Sequence, residues 1–173
     1  MTEEDPPMSL SPAVESYLSQ SDIPFDVLEH PRSTTSMQTA HAAHVTPAQL
    51  AKAVVVRDQD RYMMCVLPAS HILVMNWVDT DYKGHYRLAT EDELAKLFPD
   101  CEAGAVPPLG QAYGLHVVWD NTLRHADEVY FEGGDHRHLI HIGHDEFMRL
   151  MEDADHATIS CTPDTVEYYQ HMH

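Results

Sequence analysis

The feature that most restricts the fold is a pair of apolar, β-branched runs, residues 50–57 and 62–67, separated by the polar turn Asp58-Gln59-Asp60-Arg61. Two such runs on so short a connection predict an antiparallel hairpin, and Pro68-Ala69 ends its second strand. A chain of 173 residues with 43% hydrophobic content can enclose one sizeable core but not two, so the hairpin should belong to a single α/β domain.

The elements around it are short. Residues 1–9 are polar and should fray, after which Ser11-Pro12 reads as an N-cap followed by proline at the first helical position. A helix over 12–20 places Val14, Tyr17 and Leu18 on one face. Residues 24–28 read as a strand, and Ser33-Thr34-Thr35-Ser36 offers caps for a helix over 37–44. Residues 72–77 fit either a strand or a buried helical turn. A strand is expected over 85–88. Thr90 with Glu93 three residues later makes a capping box for a helix over 91–98.

Beyond Pro99 the pattern predicts strands over 115–119, 128–131 and 138–142 and a helix over 145–151 with Phe147, Leu150 and Met151 inward. The tail from Asp153 has weak periodicity, and Thr162-Pro163 starts one more short helix. Hairpin-joined strands with interspersed helices do not suit a doubly wound nucleotide fold, and neither glycine-rich nucleotide fingerprint occurs. A compact mixed sheet with helices outside fits.

The net charge of −18 opposes nucleic-acid binding of the usual basic kind and argues against a DNA partner. Seven acidic and no basic residues occupy 1–30, and seven acidic and one basic occupy 144–173, so the ends carry most of the repulsion. No apolar run approaches the roughly 20 residues of a membrane span, and the acidic N-terminus is unlike a secretory signal, so a cytoplasmic location is expected. Cys65, Cys101 and Cys161 offer no Cys-x-x-Cys pair, and Cys65 reads as a buried small hydrophobe.

Several residues carry potential chemistry. Lys52 is the one charge in the run Leu50-Ala51-Lys52-Ala53-Val54-Val55-Val56. It is either an outer-face lysine with its stem along the sheet or an ammonium aimed into a cleft, where weak solvation strengthens its field. The loop Gly104-Ala105-Val106-Pro107-Pro108-Leu109-Gly110 is either a tight connector or a preorganised donor set, with amides at Gly104, Ala105 and Val106 and none at the prolines. His136, after Gly133-Gly134-Asp135, is expected to be exposed in a turn and placed to meet a ligand. Asp120 is either a helix cap or a pocket acceptor. The histidine-dense stretch from His136 to His144 lacks zinc spacing, so no metal is expected.

Taken together, Ala51-Lys52-Ala53-Val54-Val55-Val56, Met64-Cys65-Val66-Leu67-Pro68-Ala69, Ala89-Thr90-Glu91-Asp92-Glu93-Leu94, the loop from Phe98 to Gly110 and Gly133-Gly134-Asp135-His136 resemble the YbaK/EbsC family, the prolyl-tRNA synthetase associated domain. The resemblance covers residues 22–152, leaving an acidic N-terminal segment with a helix (1–21) and an acidic C-terminal extension (153–173). It implies a mixed, barrel-like β-sheet surrounded by helices and an aminoacyl-tRNA deacylase that needs no metal or other cofactor.

By that resemblance Lys52, Gly104 and His136 are catalytic residues, and Ala105, Val106, Pro107, Asp120 and Gly134 bind substrate. The partner is the acceptor end of an aminoacyl-tRNA, with tRNA for proline the favoured target and a prolyl-tRNA synthetase the protein beside which it acts in trans. Leu109 stands where the family has phenylalanine, a change expected to alter one wall of the pocket. A second reading is a non-catalytic module that binds an aminoacyl or nucleotide-like ligand or a protein.

Overall fold

A computed structural model describes residues 10–165. The expected fraying of 1–9 lies outside them, and of the helix expected after Thr162-Pro163 only 163–165 fall inside, in helical conformation. The first helix, α1 (Pro12–Gln20), starts where the Val14 amide donates to Ser11 Oγ, and it buries Val14 and Leu18. β1 (Asp26–Glu29) and α2 (Ser36–Ala43) follow, the latter capped by Thr35, whose Oγ1 accepts the Gln38 amide.

The hairpin forms as expected, each strand one residue longer at the turn, with β2 starting one residue later and β3 ending one residue later than expected. β2 (Ala51–Asp58) pairs with β3 (Arg61–Pro68) in a register running from Ala51 opposite Pro68 to Asp58 opposite Arg61, which leaves a two-residue turn with Gln59 at φ +56°. The ambiguous stretch contains both alternatives in succession, β4 (Ile72–Leu73) and then α3 (Met75–Tyr82). β5 (Arg87–Leu88) leads into α4 (Glu91–Leu97), whose capping box has both reciprocal bonds between Thr90 and Glu93. The rest comprises β6 (His116–Asp120), β7 (Glu128–Glu132), β8 (His138–Gly143), α5 (His144–Leu150), β9 (Asp155–Ala157) and β10 (Ser160–Cys161).

The strands make a mixed α/β fold but not a barrel. They form a five-stranded sheet in the order β5-β2-β3-β6-β9, a three-stranded sheet β1-β8-β7 and the pair β10-β4. Closure requires every strand to have hydrogen-bonded neighbours on both sides with a consistent stagger. Here the outer strands β5 and β9 have two and three residues, and the two larger sheets meet through a single bridge, Leu50 to Tyr130. The expected barrel-like closure is therefore wrong.

β3 explains the core. Met64 and Val66 point into a cluster with Val14 and Leu18 of α1, Trp119 of β6, Phe131 of β7, Ile140 of β8 and Phe147 of α5. Met63, Cys65 and Leu67 point the other way, onto Val56, Val78, Val118 and Ile159. A strand covered on both faces must be continuously apolar, which is what its sequence is. Cys65 is fully buried as expected, and burial pushes its thiol up to about 12, so it remains a thiol. Residues outside 22–152 take part in this body: Leu10, Val14 and Leu18 enter the core, and β9 extends the large sheet. Among the described residues no helix is long and apolar enough to cross a membrane.

Asp120 anchors the C-terminal strands. It is fully buried; one carboxyl oxygen accepts the Ile159 and Ser160 amides at 2.9 and 3.0 Å, and the other accepts the Thr122 amide and hydroxyl at 3.0 and 2.5 Å. Asp120→Asn turns one of those oxygens into a donor facing donors. It should cost about 2 kcal/mol, the order expected for weakening charged buried hydrogen bonds, as read from the urea midpoint at constant slope.

Candidate active site

The glycine-proline loop is held from three sides. Asp100 anchors its start, accepting from Ser11 Oγ at 2.6 Å, the Ala13 amide at 3.2 Å and Tyr113 OH at 2.8 Å. Burial alone would raise this carboxyl's pKa, but those bonds hold it below the usual carboxylate range. The Glu102 amide donates to the Gly134 carbonyl at 2.8 Å, fastening the loop to the β7–β8 turn. The Ala105 amide then donates to the Glu102 carbonyl at 3.1 Å, closing a four-residue turn with Gly104 in its third position at φ +81°, where a type II turn favours glycine.

His136 completes the clamp. Its Nε2 lies 2.5 Å from the Ala103 carbonyl, which can only accept, so that nitrogen carries a hydrogen and donates it. The expectation of an exposed histidine is corrected: His136 is buried against the loop it holds, though its ring also lines a cavity there. The next histidines are engaged elsewhere, His138 with Asp135 at 2.9 Å and His141 between Asp26 and Glu128.

Two adjoining chambers meet at this loop. The smaller, about 90 Å³, is walled by Lys52, Ala51, Ala53, Ser36 and Glu132 together with Leu94, Gly104 and Val106. The larger, about 340 Å³, shares Leu94, Gly104 and Val106 and continues to Thr34, Phe98, Ala103 and His136. Lys52, Gly104 and Val106 are thus brought to one cavity, and His136 to the next. Ala105 and Pro107 are buried behind the loop, Gly134 lies in a separate depression, and Asp120 serves the fold; none of these four lines either chamber. Leu109 is fully buried in the main core and lines neither chamber, so the expected change of pocket wall does not occur there.

Lys52 is half-buried and has no hydrogen-bond or ion-pair partner among the described residues, and desolvation lowers its pKa from the usual lysine value. Its cross-strand partner is Leu67, so strand alternation turns it away from Ala51 and Ala53 at the cavity wall to which it also contributes. Its charge reaches His71 too: burial first, and then Lys52, disfavour protonation of that ring against the pull of Asp120.

The backbone donors can now be sorted. The Ala105 amide is consumed by the turn, whereas those of Gly104 and Val106 have no acceptor among the described residues. One polar group escaped sequence reasoning. Glu132 falls in sequence at the start of the polar stretch between two strands, yet it ends β7 and borders the Lys52 cavity.

The amides of Gly104 and Val106, which have no acceptor among the described residues, thus border a small chamber that Ala51, Lys52 and Ala53 of β2 also wall. The profile of the aminoacyl-tRNA editing domain matches residues 30–150, and the chain belongs to that family. It is 27% identical over 124 residues to the proline–tRNA ligase of Geobacillus sp. (strain WCH70), an alignment spanning 68% of this chain and 21% of that protein, so the chain corresponds to about a fifth of that relative. A crystal structure of a candidate trans-editing enzyme for prolyl tRNA synthetase superposes with TM-score 0.78 at 25% identity, covering 91% of this chain and 99% of that one. The hypothetical protein APE2540 shares the fold, with TM-score 0.76, 22% identity and coverage of 86% and 99%.

Proposed function

We propose that this chain acts in trans, releasing a wrongly attached amino acid from the 3′ end of tRNA for proline. The reading is supported by the small cavity that Lys52 borders together with Gly104 and Val106, whose amides have no acceptor among the described residues. Water adds to the ester carbonyl carbon and gives up a proton as the carbonyl oxygen becomes an oxyanion; the oxyanion then re-forms the carbonyl of the free amino acid, and the ribose oxygen leaves with a proton equivalent to the one water lost. Gly104 and Val106 amides receive the oxyanion, and Lys52 draws the adjoining terminal phosphate to the cavity. His136 acts as a positioning residue, through its hold on the Ala103 carbonyl, rather than as the base.

The protein makes contact only with the acceptor end, where its −18 net charge repels least of the tRNA, and a prolyl-tRNA synthetase delivers the substrate. That role places it in the cytoplasm, where tRNA is charged. Alanyl-, cysteinyl- and seryl-tRNA for proline, assayed with and without the synthetase, should include at least one ester whose half-life the protein shortens by about an order of magnitude or more, the range a single oxyanion donor alone can supply. Unchanged half-lives across the whole set would defeat the proposal.

A further inference from the structure

We infer that Glu132 is a specificity-determining residue of this cavity and receives the α-ammonium group of the aminoacyl ester. The inference rests on the deacylase reading and extends it to the part of the substrate that distinguishes a free amino acid from an acylated one.

Glu132 borders the same small chamber as Lys52 and Gly104. One of its carboxyl oxygens accepts from Thr39 Oγ1 at 3.1 Å, and Thr39 is itself held by Ser33 Oγ at 2.6 Å, so the carboxyl is fixed in direction. The other oxygen is buried and has no hydrogen-bond partner among the described residues. An unsatisfied buried acceptor is destabilising and calls for an explanation beyond folding. The nearest ionisable neighbours do not supply a counter-charge, because Asp135 and Glu102 both repel it, and Lys52, on the same cavity, forms no ion pair with it.

The chamber therefore has an acidic pole at Glu132 and, on its wall, the loop residues Gly104 and Val106 with unpaired amides, and Lys52 of β2 borders it. An aminoacyl ester has the matching pattern. Its phosphate-bearing ribose lies on one side of the carbonyl, and its ammonium lies one carbon away on the other. With the carbonyl at Gly104 and Val106, an amine one carbon away falls within a space of about 90 Å³ that Glu132 borders. Burial first, and then the repulsion of Asp135 and Glu102 against the Thr39 bond, push the Glu132 carboxyl up to about 8 in the empty site. An arriving ammonium supplies the missing positive charge and favours the ionised form.

The test compares the wild type with Glu132→Gln on one aminoacyl-tRNA and on the same ester carrying an N-acetyl group. Glutamine keeps an oxygen for Thr39 and loses the charge. The expected result is a preference of at least about tenfold in kcat/KM for the free amine in the wild type, in keeping with a charged hydrogen bond, its loss in Glu132→Gln, and its retention in Glu132→Asp. A wild type active on both esters whose preference survives in Glu132→Gln overturns this inference alone, as does a wild type that shows no preference. A wild type inert towards both esters overturns the deacylase reading and this inference with it. Matching melting temperatures separate recognition from a purely structural role of the Thr39 contact.

Discussion

Replacing Lys52 by alanine should lower kcat/KM for deacylation by about a hundredfold or more, the scale of losing a preorganised charge from a water-poor site. Its pKa is lowered by desolvation, so the protein holds a poorly solvated cation there with no carboxylate to compensate it. Such a group does nothing for folding, and its removal orphans no partner. The variant should therefore melt at or above the wild-type temperature, with an unchanged far-UV circular dichroism spectrum. Activity and stability then move in opposite directions, the pattern expected of a functional charge and not of a structural one.

The pH profile sharpens the same prediction. If the cationic form is the active one, activity falls as pH rises through the lowered pKa of Lys52, giving an alkaline limb below the ordinary lysine range. Lys52→Arg keeps a charge that does not titrate in that range, so whatever activity it retains should lack this limb. Equal profiles for the two proteins would detach Lys52 from the reaction. A shorter cation at this position should fare worse than arginine.

Local chemistry was the most legible part of the sequence. The β2–β3 hairpin, the Ser11 and Thr35 caps and the Thr90–Glu93 capping box depend on residues a few positions apart, and the structure has them where spacing places them. β9 and β10 escaped notice because neither has a pattern of its own. β9 exists as a parallel neighbour of β6, and β10 pairs with β4, with the Ile159 and Ser160 amides fastened to Asp120 about forty residues earlier. Closure of a barrel is likewise a property of strand ends that only the assembled sheets reveal.

The site was legible in its residues and less so in their jobs. Lys52 and Gly104 do reach one cavity, but whether a backbone N–H is free depends on turn geometry, and the Ala105 amide is spent inside the loop. His136 was expected to be exposed because a turn after two glycines normally is, whereas it is buried and still lines the larger chamber. The contact of its ring with Ala103 joins residues 33 positions apart. Glu132 was hidden by its place at the head of the polar stretch 132–137, which suggests an exposed turn, whereas α2 covers that end of β7 and supplies Thr39.

Gly104→Ala should reduce kcat/KM by about a hundredfold, because a displacement of roughly 1 Å in a positioning element is enough for such a loss. Two effects coincide at this residue. The backbone stands at φ +81°, a conformation that costs an ordinary L-residue about 1–2 kcal/mol. A methyl group there would also sit 3.3 Å from Cε1 of His136 and 3.7 Å from its Nε2, pressing on the ring that holds the Ala103 carbonyl. Either the turn relaxes and its free amide swings away, or the histidine gives and the loop loses its clamp. Gly114→Ala separates these contributions, since Gly114 has φ +73° but open space where the alanine methyl would go, and it lies outside both chambers. It should show a similar fall in urea midpoint with deacylation intact. If Gly104→Ala were as active as Gly114→Ala, the loop would be a connector and the oxyanion would have to be met by other donors.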